Sequence, residues 1–283
     1  MTTELMNKGK KDQTYLMGRG EAETRRLISQ SKLYGRFTRR LLEDAGVEKG
    51  MKVLDVGTGA GDLALMAAEM VGPTGSVLGV DQDPQVLEAA SARAEAARLD
   101  NIRFHAGDFR RAVPGDGLFD AVVGRLVLLY APDPAEALRG LVDHLNPEGI
   151  AAFGEFNFVA ESALAHPSSP LWETMWNWMR AVVREAGLDP ATGYNLRRTF
   201  LCAGLPEPEM NLCSPVGGGP DWPGYDYAAE SVRSMLPLIV KLGIATEGEV
   251  EIDTLAGRLR AETVAADGVV KAHDLLGAWA RKT

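Results

Sequence analysis

Three carboxylates in the first half of the chain stand where chemistry could be done. Asp55 lies two residues before the first glycine of "DVGTGAGD", Asp81 sits in "VLGVDQDP", and Asp108 stands beside Phe109 in "FHAGDF". Each follows a short β-rich run. A carboxylate just ahead of a glycine-rich turn repels a pyrophosphate and attracts an ammonium group. An acid about 20 residues past such a loop is placed to accept both hydroxyls of a ribose. An acceptor beside an aromatic ring suits the exocyclic amine and the face of an adenine. Singly, each acid reads as a turn or cap residue. Together, at successive strand ends, they describe a ligand with a cationic end, a sugar and a purine.

The glycines narrow the choice further. Gly57, Gly59 and Gly61 are spaced GxGxG, whereas the dinucleotide fingerprint is GxGxxG with a pyrophosphate on the helix N-terminus. With Asp55 so close, a nicotinamide-dependent oxidoreductase is the disfavoured reading. An enzyme using such a ligand, a protein that binds it without using it, a non-enzymatic interaction module and the NAD(P)-dependent enzyme stand beside each other.

The elements that must hold these residues alternate along the chain. Residues 20–45 read as a helix with Leu27, Leu33, Phe37 and Leu41 near the helical period, and Arg36, Arg39 and Arg40 as a solvated face. Strands are expected at Val53–Val56, Ser76–Val80, Ile102–His105, Phe119–Val123 and Ile150–Phe156. Helices are expected at Leu63–Val71, Gln85–Arg98 and Ala135–Leu145, with Asp133 as a cap. This predicts an α/β fold: a Rossmann-like, mostly parallel sheet of seven strands with helices on both faces.

After residue 156 the pattern changes to helices at Pro170–Ala186, Asn195–Ala203, Ala228–Leu242 and Glu249–Ala265, with strands at Glu209–Cys213 and Leu275–Ala280. Trp172, Met175, Trp176, Met179 and Val183 form one helical stripe, read as core or as the roof of a pocket, and Trp178 lies off it. The organisation expected is a helical cover over 1–50, a cofactor-binding core over 51–156, and remaining strands with inserted cap helices over 157–283, in one structural unit.

Composition excludes other classes. The net charge of -9 and pI near 5.1 argue against a nucleic-acid partner, which calls for a basic face. Cys202 and Cys213 have neither disulfide nor zinc spacing, so no metal site is expected. No apolar run spans a bilayer, and the polar N-terminus has no signal-like core, so a cytoplasmic protein without a membrane partner is expected. Oligomeric state is left open.

The segment 50–156 resembles the class I S-adenosylmethionine-dependent methyltransferases of the small-molecule group. The resemblance implies S-adenosyl-L-methionine as cofactor. It implies that "VLDVGTGAGD" (Asp55, Gly57, Thr58, Gly59) wraps the amino-acid part, Asp81 with Gln82 the ribose, and Asp108–Phe109 the adenine. Arg125 and Leu126 in "FDAVVGRLVLLYAPDP" would lie beside the cofactor, and "LLGAWARK" matches the family's antiparallel last strand. The N-terminal stretch looks like a cofactor-covering helix, with Tyr15, Gln30 and Tyr34 closing over the methionine end.

No (D/N/S)PP(Y/F) motif follows the fourth strand, no Pro-Cys pair serves covalent attack on a base, and no carboxylate cluster there suits a metal. The acceptor is therefore expected to be a small apolar or aromatic molecule. In-line transfer from a sulfonium leaves a general base optional, because orientation supplies much of the rate. Glu155 and Asn157 end the fifth strand as the catalytic candidates; Glu155 either handles the acceptor's proton or only satisfies loop amides. Of the histidines, His105 reads as structural, His144 as helix surface, His273 as part of a late turn, and His166 as loop-borne and able to reach the pocket.

Overall fold

The computed structural model describes residues 21–110, 118–159 and 164–283, with side chains from residue 26 onward. Tyr15 lies outside these residues. Helix α1 (Glu21–Ala45) is followed by β1 (Lys52–Val56), α2 (Asp62–Val71), β2 (Ser76–Asp81), α3 (Pro84–Ala96), β3 (Ile102–Ala106) and β4 (Phe119–Arg125). A 3₁₀ turn at Leu128–Tyr130, α4 (Pro134–Val142) and β5 (Leu145–Phe156) complete the first half. The second half holds β6 (Ala165–His166), α5 (Pro170–Glu185), α6 (Thr192–Ala203), β7 (Glu209–Cys213), β8 (Val216–Gly217), α7 (Gly224–Lys241), α8 (Glu247–Val250), α9 (Leu255–Ala265), β9 (Val269–Lys271) and β10 (Leu275–Arg281).

Seven strands form one sheet in the order β3-β2-β1-β4-β5-β10-β7. The pairs from β3 to β5 are parallel, and β10 runs antiparallel to both β5 and β7. The chain leaves β1 in one direction for β2 and β3, then returns to place β4 on its other side. Ligands of open α/β sheets bind outside the strand carboxyl ends at such a switch point. The loops after β1, β2 and β4 meet there.

Alternation assigns the two faces. Leu54, Val56, Val122 and Phe153 pack on Leu138 and Leu141 of α4 and on Leu196 and Phe200 of α6. Val53, Val77, Val123 and Ala152 pack on Leu42 and Ala45 of α1 and on Ala64, Ala67 and Ala68 of α2. Each fully buried valine or leucine contributes roughly 1.5–3 kcal/mol, so both faces are held by ordinary apolar burial. A third cluster lies beyond the end of β5, where α5, α7 and α9 pack with Tyr34, Phe156 and Leu275.

Several sequence expectations shift. The helix expected over Ala135–Leu145 stops at Val142, and β5 begins at Leu145, extended by a turn in which Glu148 takes φ 65°. The helix over Glu249–Ala265 breaks in two where Glu251 takes φ 44°, a left-handed conformation that cannot continue a helix. Trp178, off the stripe, is buried as well. A small second sheet, β6-β9-β8, is made of strands too short to show period-two patterning. In α1 the deepest face is not Leu27, Leu33 and Phe37 but the polar row Arg26, Gln30, Tyr34 and Thr38, spaced at i, i+4.

Candidate functional site

The glycine loop between β1 and α2 is wholly left-handed at its glycines: φ is 64° at Gly57, 53° at Gly59 and 83° at Gly61. A Cβ on Gly57 would come within 2.5 Å of Val127 Cγ2, so both backbone and space demand glycine there. Behind the loop, Asp55 is buried and accepts the Thr58 hydroxyl at 2.6 Å. Burial pushes its pKa up to about 7, partly offset by the Thr58 hydrogen bond and the charge of Arg125. At the lip, Asp81 accepts the Gly59 amide at 2.9 Å and the Asp83 amide at 3.0 Å. Its pKa is raised by desolvation, with these amides pulling the other way. Gln82 beside it is exposed. Each Asp81 oxygen has taken one amide and keeps a second lone-pair direction for an incoming hydroxyl.

Helix α1 lies over this loop. Leu27 Cδ1 stands 3.5 Å from where a Gly59 Cβ would be. Arg125, at the end of β4 and buried, donates to Thr38 Oγ1 at 2.9 Å and faces Asp62 Oδ2 at 3.8 Å. Thr38 in turn donates to the Tyr34 carbonyl at 3.1 Å. Burial lowers the pKa of Arg125, Asp62 and Asp55 oppose that change, and the like charge of Arg26 adds to it. Arg26 donates to Gln30 Oε1 at 2.7 Å. The result is a dry, mixed-charge patch of Asp55, Asp62, Arg26 and Arg125, suited to a zwitterion. Leu126 follows in a left-handed conformation, its amide on the Gly154 carbonyl at 2.8 Å.

On the far side of β2, Asp108 and Phe109 follow β3 as expected, but Asp108 is already engaged. Arg110 grips its two oxygens at 2.8 Å each. Phe109 packs into the cluster containing Val56, Val80 and Val127.

The two residues at the end of β5 point away from that patch. Glu155 pairs in register with Leu276, whose face is that of α4 and α6, while Arg125 and Phe156 fall on the α1 face. Glu155 Oε1 accepts the Val127 and Leu128 amides at 3.0 and 2.7 Å, which fixes the loop after β4. Its other oxygen is buried without a partner, and burial lifts its pKa to about 8. Of the two roles open in the sequence, this geometry favours the loop anchor. Asn157 Oδ1 accepts the Tyr194 amide at 3.1 Å and so holds the start of α6. His166 is exposed on β6.

The sequence reading gave no role of their own to Arg26, Thr38, Asp62 (the last residue of "VLDVGTGAGD") and His273. The first two share the spacing of Gln30 and Tyr34. Asp62 opens α2, where a first-turn acid reads as a dipole partner. His273 carried no local signal. Among the described residues, no three His, Cys, Asp or Glu side chains gather as metal ligands, and no helix is long and apolar enough to cross a membrane.

The family model described as "Methyltransferase domain" matches residues 47–196. The chain belongs to this family, and its fold is that of the class I S-adenosylmethionine-dependent methyltransferases. A particular relative is demethylmenaquinone methyltransferase of Staphylococcus aureus (strain JH9), 31% identical over 140 residues that make up 50% of this chain and 54% of that protein. The chain thus aligns with about half the length of the curated relatives it matches. Among solved structures, it is similar to phosphoethanolamine N-methyltransferase 2 of Haemonchus contortus, in complex with phosphomonomethylethanolamine and S-adenosylhomocysteine. That likeness has a TM-score of 0.57 and 16% identity over 90% of this chain and 56% of that one. The [4+2]-cyclase SpnF is similar with a TM-score of 0.52 and 18% identity, over 94% and 86%. At such identities the likeness is one of fold alone.

Proposed function

We propose that this protein transfers the methyl group of S-adenosyl-L-methionine to a small apolar or aromatic acceptor. The observation that carries the reading is the dry patch at the end of β1 and β4. Asp55, raised to about 7 by burial, gains from an ammonium partner, and the guanidinium groups of Arg26 and Arg125 gain from a carboxylate. A methionine end supplies both charges at once, so the residues fit this cofactor. A nicotinamide dinucleotide supplies no ammonium for Asp55.

When bound, the cofactor supplies a sulfonium methyl with a strong leaving group. The chain's own residues bind and orient. Asp55 with Thr58 holds the amino group, Arg26 and Arg125 hold the carboxylate, and Asp81 receives ribose hydroxyls on its remaining lone pairs. Gln30 and Tyr34 on α1 exclude water from that end. Asp108 with Phe109 takes the adenine once Arg110 yields a carboxylate oxygen. The acceptor enters from the cluster of α5, α7 and α9, and Glu155 keeps the loop after β4 in place rather than handling its proton. The demethylmenaquinone methyltransferase relative makes a quinol-type acceptor the first to assay.

Calorimetric titration with S-adenosylmethionine and S-adenosylhomocysteine, with NADH and NADPH as controls, tests this. Micromolar binding of the adenosyl ligands alone supports it, and tritiated methyl transfer then identifies the acceptor. Binding of a nicotinamide cofactor alone overturns it.

A further inference from the structure

Beyond residue 157 the fold leaves buried polar atoms without partners. His273, between β9 and β10, is 1% exposed, and neither ring nitrogen has a hydrogen-bond partner. Aromatic rings enclose it. Phe156 stacks at 5.2 Å between centroids, Phe158 stands edge-on at 4.4 Å and Trp176 at 3.5 Å. Trp176 is itself buried with Nε1 unpartnered, as is Trp172, edge-on to it at 5.8 Å. An unpaired buried polar group costs about 1–3 kcal/mol, and interiors pair nearly all of them. Adjoining rings with unmet hydrogen bonds mark a place where polar atoms of a ligand belong.

This cage adjoins the patch assigned above to the methionine end. Arg125 bonds Thr38, Thr38 bonds the Tyr34 carbonyl, and the Tyr34 hydroxyl donates to the His273 carbonyl at 3.0 Å. One turn of α1 therefore separates the guanidinium from the imidazole segment. Phe156 lies two residues beyond Gly154, the register partner of Arg125.

We infer that His273 and Trp176 form the acceptor site, and that they recognise a flat hydroxylated aromatic molecule whose O–H donates to the imidazole. The inference rests on the proposed methyl transfer and names its substrate class. A neutral imidazole offers one acceptor nitrogen and one donor, and an indole offers only a donor. An acceptor hydroxyl can satisfy the first and a second oxygen the indole, while Phe156 and Phe158 take the ring face. Burial and the charge of Arg180 hold the His273 pKa well below its usual value, so the lone pair is open at neutral pH. The neighbouring groups do not compete for it. Tyr34 is spent on the backbone carbonyl, and Asp274 is held by Lys271 at 3.0 Å and by Ser214. The hydroxyl keeps its proton while bound, and its hydrogen bond to the neutral imidazole fixes which edge of the ring is presented. In this structure the cage is closed, so a ligand must part the Trp176 ring from His273.

The test is calorimetric titration of the full chain with 1-naphthol and with 1-methoxynaphthalene, without any adenosyl ligand, and separately with S-adenosylhomocysteine. The expected result is at least a tenfold preference for the naphthol, lost in His273→Phe and partly kept in His273→Asn, with S-adenosylhomocysteine affinity unchanged in both. Equal affinities for the two naphthalenes in the native protein, or no binding of either, overturn the inference without needing a variant. So does a preference that survives in His273→Phe. Loss of S-adenosylhomocysteine binding in the native protein, with the naphthol preference intact, would instead count against the transfer reading and leave the hydroxyl site standing.

Discussion

The two halves of the proposed site are built on opposite terms. Around the glycine loop every carboxylate is engaged: Asp55 by Thr58, Asp81 by two amides, and Asp108 by Arg110. In the cage of α5 and the β9–β10 turn, the ring nitrogens of His273, Trp172 and Trp176 have no hydrogen-bond partner, although the rings pack on one another. A polar group that has partners in the free protein holds its loop in shape and meets a ligand with its remaining lone pairs. One without a hydrogen-bond partner carries an unmet desolvation cost that a ligand's polar atoms can offset. The first region reads as preorganised and the second as awaiting its occupant.

The comparison is broken most severely at Gly57. Gly57→Ala adds a Cβ at 2.5 Å from Val127 to a left-handed backbone. We expect a stability loss of about 4 kcal/mol, read as a urea midpoint, with adenosyl-ligand affinity abolished. Next, Glu155→Ala strands the Val127 and Leu128 amides and should cost about 2–3 kcal/mol, whereas Glu155→Gln keeps an acceptor and should remain active. A Gln variant that folds normally but transfers no methyl group would return Glu155 to the acceptor's proton. Asp81→Ala removes the ribose acceptor and should weaken S-adenosylhomocysteine binding by roughly 30-fold, about 2 kcal/mol, in a titration; unchanged affinity would sink that assignment.

Stability against pH sharpens the same contrast. Asp55 and Glu155 hold their protons to about 7 and about 8 in the folded chain but give them up near 4 when unfolded. The folded state then binds more protons, so stability falls as pH rises from about 5 to 8. His273 acts with opposite sign: its lowered pKa means that the unfolded chain binds the extra proton, and stability is lost below about pH 6.5. Glu155→Gln should flatten the alkaline side and His273→Phe the acid side, as measured by thermal midpoints across pH 5–8. The smallest effect is expected at Arg110. Arg110→Ala should change stability by only a few tenths of a kcal/mol, because its ion pair is partly exposed. It should also tighten adenosyl binding several-fold by releasing Asp108.

Much of the fold was legible because its signals are local. Short β-rich runs marked the strands, and Asp133 marked the start of α4, where its side chain accepts the Ala135 and Glu136 amides. The boundary between α4 and β5 was not legible, since "HLNPEG" suits a helix end and a turn equally. In the polar row of α1, Gln30 and Tyr34 were legible through the resemblance, whereas Arg26 and Thr38 were not, because the leucines carry the same helical period.

By itself the sequence determined the alternating elements, the glycine turn that only glycine can adopt, and the family that these motifs define. All of these depend on torsions and spacings within a few residues. Tertiary structure alone decided which side chains meet. It turned Glu155 toward α4 and α6 through the register with Leu276, closed Arg110 on Asp108, and carried His273 into the rings of Phe156, Phe158 and Trp176. His273 lies more than a hundred residues from Phe156 in the chain and ninety-seven from Trp176. No local pattern encodes a contact over such a separation; sheet register and helix packing do.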